Sequence, residues 1–349
     1  MPQYKQVNKE ENGYMKEALY YNKLQEDNKT QCLLCPHNCV INDGKRGICG
    51  VRKNIEGTLY SENYGQVTAM GFDPIEKKPL YHFHPGSFIL SVGSFGCNFK
   101  CHFCQNWEIS QSTIDETGKK ETHTPEQIVE TAIARKDNTG IAFTYNEPVI
   151  YYEFMLDTAK LAKENGLKTV MVSNGYINSE PLQHLLPYMD AFSIDLKGFT
   201  DEFYKKNTKA SITPIMDNLK QIRKNGNFLE ITNLVIPTLN DDNNNFSEMI
   251  KWIRDELGEK TILHISRYFP GYKSTIEPTS ISKLKEFYSI AKEHIHYVYL
   301  GNAHVENANN TYCDNCGELL VSRESFYAEL FGIDKEGNCK NCGNKVFMR

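Results

Sequence analysis

The sequence predicts an α/β protein built on parallel strands, with one cysteine-rich module before it and another after it. Two observations carry this. From residue 88 onward, short apolar runs alternate with amphipathic stretches of helical period. Strands are predicted at 88–94, 140–145, 168–173, 191–196, 228–236, 261–266 and 296–300, and helices at 125–136, 149–165, 179–188, 212–225, 243–257 and 281–294. Such alternation means strands that run the same way, with each return made by a crossing helix. The second observation is that eleven cysteines fall into three groups with none left over: four at 32–49, three at 97–104 and four at 313–342. The expected division is an N-terminal segment at 1–87, the alternating unit at 88–305 and a C-terminal module at 306–349.

A chain of 349 residues has room for a full-sized core and small appendages. Its net charge of −5 argues against a dedicated nucleic-acid binder, which would show a basic stripe. No apolar run approaches a membrane span, and the opening MPQYKQVNKEENGY lacks the apolar stretch of a signal peptide. The expectation is a soluble cytoplasmic protein. A disulfide framework suits a small secreted chain, so the cysteines read as three metal sites.

Residues 1–30 read as a polar lead-in, with weak helical character from Tyr14 to Gln25. Cys32-Leu-Leu-Cys35-Pro-His-Asn-Cys39 follows, and Gly44 and Gly47 mark a turn that returns Cys49 to close a four-thiolate site. A structural zinc suits such a closed site; a second iron–sulfur cluster relaying electrons inward is the alternative. Tyr60 to Thr68 suggests a short hairpin. The polar stretch Asp73-Pro-Ile-Glu-Lys-Lys-Pro-Leu-Tyr-His-Phe-His-Pro-Gly86 runs straight into the strand before the next cysteines, which would lay it over their mouth. His82 and His84 within it read as packed or solvated rather than as ligands.

The stretch Ser91 to Trp107 organises the rest. A buried strand, Phe88-Ile-Leu-Ser-Val92, leads into Gly93 and Gly96, which permit a tight wrap, and then into Cys97, Cys101 and Cys104 spaced C-x3-C-x2-C. Three thiolates bind three corners of a cubane cluster and leave the fourth iron open to a small molecule. A zinc site would want a fourth protein ligand, and no further cysteine lies close by.

Thr124-Pro125-Glu126 is a helix start with a capping hydroxyl. In parallel folds ligands collect at the carboxyl ends of strands, and polar residues stand there. The second strand ends in Asn146 and Glu147, a carboxylate suited to an ammonium group or to the dipole of the next helix. The third ends in Ser173-Asn174-Gly175. The fourth ends in Asp195 and Lys197, which alternate onto one side as a ligand clamp or a rim ion pair. On the sixth, His264, Ser266 and Tyr268 share a face, and Arg267 could grip a carboxylate by its planar fork. In the tail, Cys313-Asp-Asn-Cys316-Gly and Cys339-Lys-Asn-Cys342-Gly are matching knuckles of a four-cysteine zinc ribbon, with rubredoxin-like iron as the alternative.

Cys97-Asn-Phe-Lys-Cys101-His-Phe-Cys104 resembles the signature of radical S-adenosylmethionine (SAM) enzymes. With the N-terminal Cys-x2-Cys-Pro-x2-Cys, the Asp73–Tyr81 stretch, Tyr-Asn-Glu-Pro and the ribbon, the chain resembles the radical SAM enzyme of the AmmeMemoRadiSam system, in the pyruvate formate-lyase activating-enzyme-like branch. The resemblance implies an incomplete (β/α)6 TIM-like barrel, with SAM on the open iron of a 4Fe–4S cluster. It implies that Glu147, with Asn146 beside it, holds the SAM amino group, and that Ser173, Asn174, Asp195 and Lys197 are further SAM contacts. His264 or Ser266 would face the adenosine or the substrate. Also implied are a monovalent cation near these residues and a ferredoxin or flavodoxin reductant. Memo-like and Ammecr-like proteins, or a glycyl-radical enzyme, would be partners. The reaction is expected to take a hydrogen atom from a small metabolite or a partner-protein side chain, or, in an activase, from a backbone glycine. A zinc-stapled interaction protein without catalysis is the third reading.

Overall fold

The structure, a computed structural model, describes residues 8–10, 13–25, 27–116 and 121–348. Apolar, β-branched and aromatic runs become strands where the alternation places them. They are β1 (Ala69–Pro74), β2 (Phe88–Gly93), β3 (Asn138–Phe143), β4 (Lys168–Ser173), β5 (Ala191–Asp195), β6 (Phe228–Val235), β7 (Ile262–Arg267) and β8 (Tyr297–Gly301). They form one sheet in the order β8-β7-β6-β5-β4-β3-β2-β1, parallel throughout except for antiparallel β1. The sheet curls into a partial barrel, with β1 and β8 as its two edges.

The crossovers are α1 (Pro125–Ala134), α2 (Tyr152–Glu164), α3 (Ser179–Leu185), α4 (Asp201–Asn207), α5 (Thr213–Asn225), α6 (Asn243–Trp252) and α7 (Ile281–Lys292). α1 opens on a full capping box, in which Thr124 accepts from the Gln127 N–H while Gln127 accepts from the Thr124 N–H. α4 was not expected. It starts at a Thr200 cap that accepts from the Phe203 N–H at 3.1 Å, a signal that Thr200-Asp-Glu already carried.

Three expectations for the N-terminal region change. The part of residues 1–30 that is described holds strands at Gly13–Glu17 and Tyr21–Lys23 rather than a helix; residues 1–7, 11, 12 and 26 lie outside the described residues. The hairpin is Arg52–Ile55 with Thr58–Ser61, turned by Glu56 and Gly57 at φ 51° and 76°, as a two-residue loop with right-handed twist requires. It therefore precedes the expected 60–68, and Gln66–Val67 pairs with Glu121–Thr122 instead. The expected division at residue 87 also falls inside the sheet, since β1 is paired with β2 along all six residues.

The stretch after β1 reaches the cysteine cleft only at Lys77 and Lys78; the rest of it does not lie over the mouth. Ile75, Leu80 and Phe83 pack with Ile89, Ala142, Val170 and Ala191, so the segment runs through the barrel and fills its lower half as a plug. Small residues at Ala142 and Ala191 leave the space it occupies. Glu230 of β6, fully buried, holds the plug by accepting from the Tyr81 and His82 N–H groups at 2.9 and 2.8 Å.

The ribbon, with strands Thr311–Tyr312, Leu319–Glu324 and Tyr327–Leu330, docks on this plug. Arg323 donates to the Tyr81 carbonyl at 2.6 Å and to Thr311 Oγ1 at 2.7 Å, with its guanidinium 4.2 Å from the Tyr81 ring centre. Met348 closes the contact, donating to the His82 carbonyl and accepting from the His84 N–H. His82 Nδ1 faces the Val346 carbonyl, and its Nε2 faces the Tyr299 hydroxyl at 2.6 Å, so it is packed and bonded as expected of a loop histidine.

Candidate functional site: a cysteine-lined cleft at the strand ends

Two glycines let β2 turn into the cysteine loop. A Cβ at Gly93 would meet the Thr144 carbonyl at 2.9 Å, and one at Gly96, which has φ +83°, would meet the Cys49 carbonyl at 2.6 Å. The second approach presses the N-terminal module directly onto the loop. His37 of that module also bonds the Asn98 carbonyl at 2.8 Å.

Cys97, Cys101 and Cys104 line one cleft of about 520 Å³ at the carboxyl ends of the strands. The Phe99 N–H points at Cys97 Sγ (3.3 Å), and Ser110 Oγ lies 3.1 Å from Cys104 Sγ. Burial pushes the Cys101 thiol up to about 12, against the pull of Lys197, so the free sulfur keeps its proton until a metal displaces it. Three thiols facing one cleft beside a buried ammonium suit a cluster that takes three protein ligands.

Asn146, Glu147, Ser173, Asn174, Asp195, Lys197 and Ser266 line the same cleft. Glu147 is buried, and burial raises its carboxyl to about 7 although Asn174 N–H, Val149 N–H and Ser173 Oγ all donate to it, at 2.8, 3.0 and 2.7 Å. A carboxylate has about four acceptor sites, so one place remains for an incoming ammonium. Asp195 and Lys197 meet at 2.7 Å, an ion pair that also faces the cleft. Burial works against the Lys197 charge, but Asp195 and the sulfurs of Cys101 and Cys104 outweigh it and raise its pKa.

Two of the expected ligand contacts also hold the cysteine loop, and a third lies deeper. The Asn146 amide accepts from the Ser94 N–H and donates to the Gly96 carbonyl, bracketing the turn into Cys97. Asn174 donates to Asn98 Oδ1 at 2.8 Å and accepts from the Tyr176 N–H, fixing the loop from the other side. His264 does not reach the cysteine cleft. It lies below, with Nε2 2.6 Å from Glu230 and its ring against Tyr81, because the register of β7 puts it one layer under Ser266.

Further residues line the cleft: Lys77 and Lys78, from the stretch expected at the mouth, and Tyr145, Thr232 and Leu234, which the sequence reading missed. Tyr145 holds φ 70°, unusual for a tyrosine, and its hydroxyl donates to Asp73 at 2.8 Å. Thr232 and Leu234 had a signal in the two-residue period of β6, but periodicity alone does not say which face looks inward.

In the ribbon, Cys313 and Cys342 lie 3.6 Å apart, as do Cys316 and Cys339. Four thiolates at zinc–sulfur bonds of about 2.3 Å in a tetrahedron give roughly this spacing. Among the described residues this is the one group of three or more potential ligands drawn within 4.8 Å of one another, and it is consistent with a zinc ribbon. Cys32, Cys35, Cys39 and Cys49 neighbour one another at wider spacing, beside the buried Arg52 guanidinium. No helix among the described residues is long and apolar enough to cross a membrane.

The radical SAM superfamily model matches residues 91–253, from the cysteine loop to the end of α6. The uncharacterized protein MJ0808 of Methanocaldococcus jannaschii is 48% identical over 335 residues, covering 95% of this chain and 99% of that protein. The pyruvate formate-lyase-activating enzyme of Clostridium pasteurianum is 27% identical over 165 residues, 46% of this chain and 67% of that enzyme. Among solved structures, SuiB of Streptococcus suis superposes with a TM-score of 0.50 at 12% identity, over 70% of this chain and 56% of that one, a likeness of fold. The chain therefore belongs to the radical SAM superfamily, in the pyruvate formate-lyase-activating-enzyme-like branch, and shares a family with MJ0808 along almost its whole length.

Proposed function

We propose that the protein cleaves SAM reductively and uses the resulting radical to take a hydrogen atom from a small metabolite or a partner-protein side chain. The observation that carries this is the convergence of Cys97, Cys101 and Cys104 with Glu147, Asp195 and Lys197 on one cleft. When bound, a 4Fe–4S cluster supplies one electron to SAM, giving methionine and a 5′-deoxyadenosyl radical, which becomes 5′-deoxyadenosine on taking the hydrogen. Cys97, Cys101 and Cys104 hold the cluster. Glu147 receives the SAM ammonium, and Lys197, steadied by Asp195, offers a cation to its carboxylate. Asn146 and Asn174 act through the loop as positioning residues. The buried walls formed by Phe99 and Phe103 keep water from the reacting atoms.

Ferredoxin or flavodoxin is the proposed electron donor. The wider cysteine spacing of the N-terminal module, and its contact with the loop through His37 and Cys49, support a second iron–sulfur cluster there over zinc. The likeness to activating enzymes supports a glycyl-radical activase as the second reading. Membership of the AmmeMemoRadiSam system, with Memo-like or Ammecr-like partners, rests on the motif resemblance.

The test uses full-length protein purified without oxygen, its cluster reconstituted, with dithionite and SAM. Formation of 5′-deoxyadenosine by the wild type and its loss in Cys101→Ala, with ribbon zinc retained, is expected. Cleavage that survives in Cys101→Ala would sink the cysteine assignment.

A further inference from the structure

Beside the SAM cleft lies a second chamber of about 720 Å³, a size that suits a small molecule. The two share Lys77, Thr232, Ser266 and Asn302, so they open into one another. The far wall of the chamber comes from the ribbon. Ser325 and Phe326, at the turn between strands Leu319–Glu324 and Tyr327–Leu330, face it, with Ser325 held at φ 56°. Ribbon and barrel thus build the space jointly.

Charge on and behind its walls is unbalanced in one direction. Glu76 is offset by Arg323 at 3.8 Å, and Glu230, behind the wall, accepts from the Tyr81 and His82 N–H groups and bonds His264 at 2.6 Å. Asp73 stands between two ammonium groups, Lys77 at 2.8 Å and Lys78 at 2.6 Å, leaving one positive charge in excess. Arg267 adds another. Its Nε donates to the Thr279 carbonyl at 2.8 Å, and its Cζ sits 4.8 Å from the Phe269 ring centre, so the guanidinium is fixed in place. Its two terminal nitrogens have no partner among the described residues. Thr232 Oγ1, buried at the junction of the two cavities, also lacks a hydrogen-bond partner among the described residues. A buried hydroxyl left so costs free energy unless a ligand meets it.

We propose that this chamber is the substrate site and takes a small anionic molecule, with Arg267 and Lys77 gripping a carboxylate or phosphate and Thr232 bonding the part nearest SAM. A planar guanidinium fork with two free nitrogens recognises either oxyanion in bidentate fashion. The proposal rests on the radical SAM reading for its chemistry and on the ribbon's hairpin tip for its wall.

The test is calorimetric titration of anaerobically reconstituted full-length protein, saturated with SAM, with succinate and with inorganic phosphate; potassium chloride at equal ionic strength is the control. Saturable binding of at least one oxyanion is expected, and which one binds tells carboxylate from phosphate. Arg267→Gln and Phe326→Glu should each weaken it at least tenfold, the second by placing a negative charge on the ribbon wall, while Arg267→Lys recovers part of it. SAM affinity is measured on the same samples. No oxyanion binding by the wild type, binding within threefold in both variants, or parallel loss of SAM affinity would overturn the proposal. A wild type that binds the oxyanion but never SAM would instead overturn the functional reading and leave the anion chamber standing.

Discussion

The side-chain amide of Asn146 donates to the carbonyl of Gly96 at 2.9 Å, one residue before the first cluster cysteine. With the bond from Ser94 N–H, it fixes the turn that sets Cys97. Asn146→Ala removes both buried bonds, worth about 1–3 kcal/mol each where a group is left unpaired. The expected result is reduced iron content after reconstitution, with SAM affinity per cluster within threefold of wild type. Full iron with SAM affinity reduced tenfold would make Asn146 a SAM contact instead.

Glu147 is the buried carboxylate among the strand-end residues and keeps an acceptor site beyond its three donors. Glu147→Gln keeps the shape and removes the charge. A charge-assisted hydrogen bond is worth about 1.5–3 kcal/mol, so SAM affinity is expected to fall roughly tenfold to a hundredfold. Equilibrium dialysis with SAM checks this. An affinity within threefold of wild type would confine Glu147 to tying Ser173 and Asn174 together.

Arg323 joins the ribbon to the barrel from a fully buried position. Arg323→Met leaves Glu76 without its cation and the Tyr81 carbonyl without its donor. Breaking a buried pair from one side costs about 3–5 kcal/mol. A urea unfolding curve should show a loss on the order of 3 kcal/mol. A loss below 1 kcal/mol would mean that the ribbon is held by its apolar contacts alone.

His82 supplies a pH dependence. Burial lowers its pKa to about 4 from the ordinary 6.5, and its Nε2 faces the Tyr299 hydroxyl as a neutral ring would. Below pH 6.5 the unfolded chain takes a proton that the folded chain refuses, so stability falls as pH drops from 6.5 toward 4. At about 1.4 kcal/mol per unit, the whole window is worth roughly 3 kcal/mol. Urea midpoints at pH 7.5 and 5.0 should differ, and His82→Gln should narrow the difference. An unchanged slope in that variant would assign the effect to other groups.

The sheet was legible because seven largely buried strands give short runs rich in apolar residues, and the helices between them keep their period. Observed strand ends fall within two residues of those expected. The cysteine loop was legible for the same local reason, since its spacing is covalent. The plug was not. Asp73 to Gly86 carries charge and proline like a surface loop, and nothing local says that Glu230, 149 residues from Tyr81, will satisfy its backbone. Asn146 and Asn174 were expected as ligand contacts from the motif resemblance. Both line the cleft, and their amides also brace the cysteine loop, which only the bond geometry reveals. Alternation grouped His264 with Ser266 without saying which face is inward or how deep each lies; the register puts Ser266 in the cysteine cleft and His264 one layer below, on the wall of the second chamber.

The pairing of Met348 with His82 and His84 ties the end of the described chain to the plug at the barrel floor. Val346 and His82 are 264 positions apart, so the contact that seals the interior is among the most distant in sequence. A chain leaving the ribosome can lay down its strands in order, yet the plug stays without its cover until residues 346–348 emerge. Until then Tyr81, His82 and Phe83 present an apolar surface to the cell. Metal capture at the four ribbon cysteines would then be a timing event: it would fold the piece that ends this exposure, and a shortage of that metal would hold the nascent chain in its most aggregation-prone form.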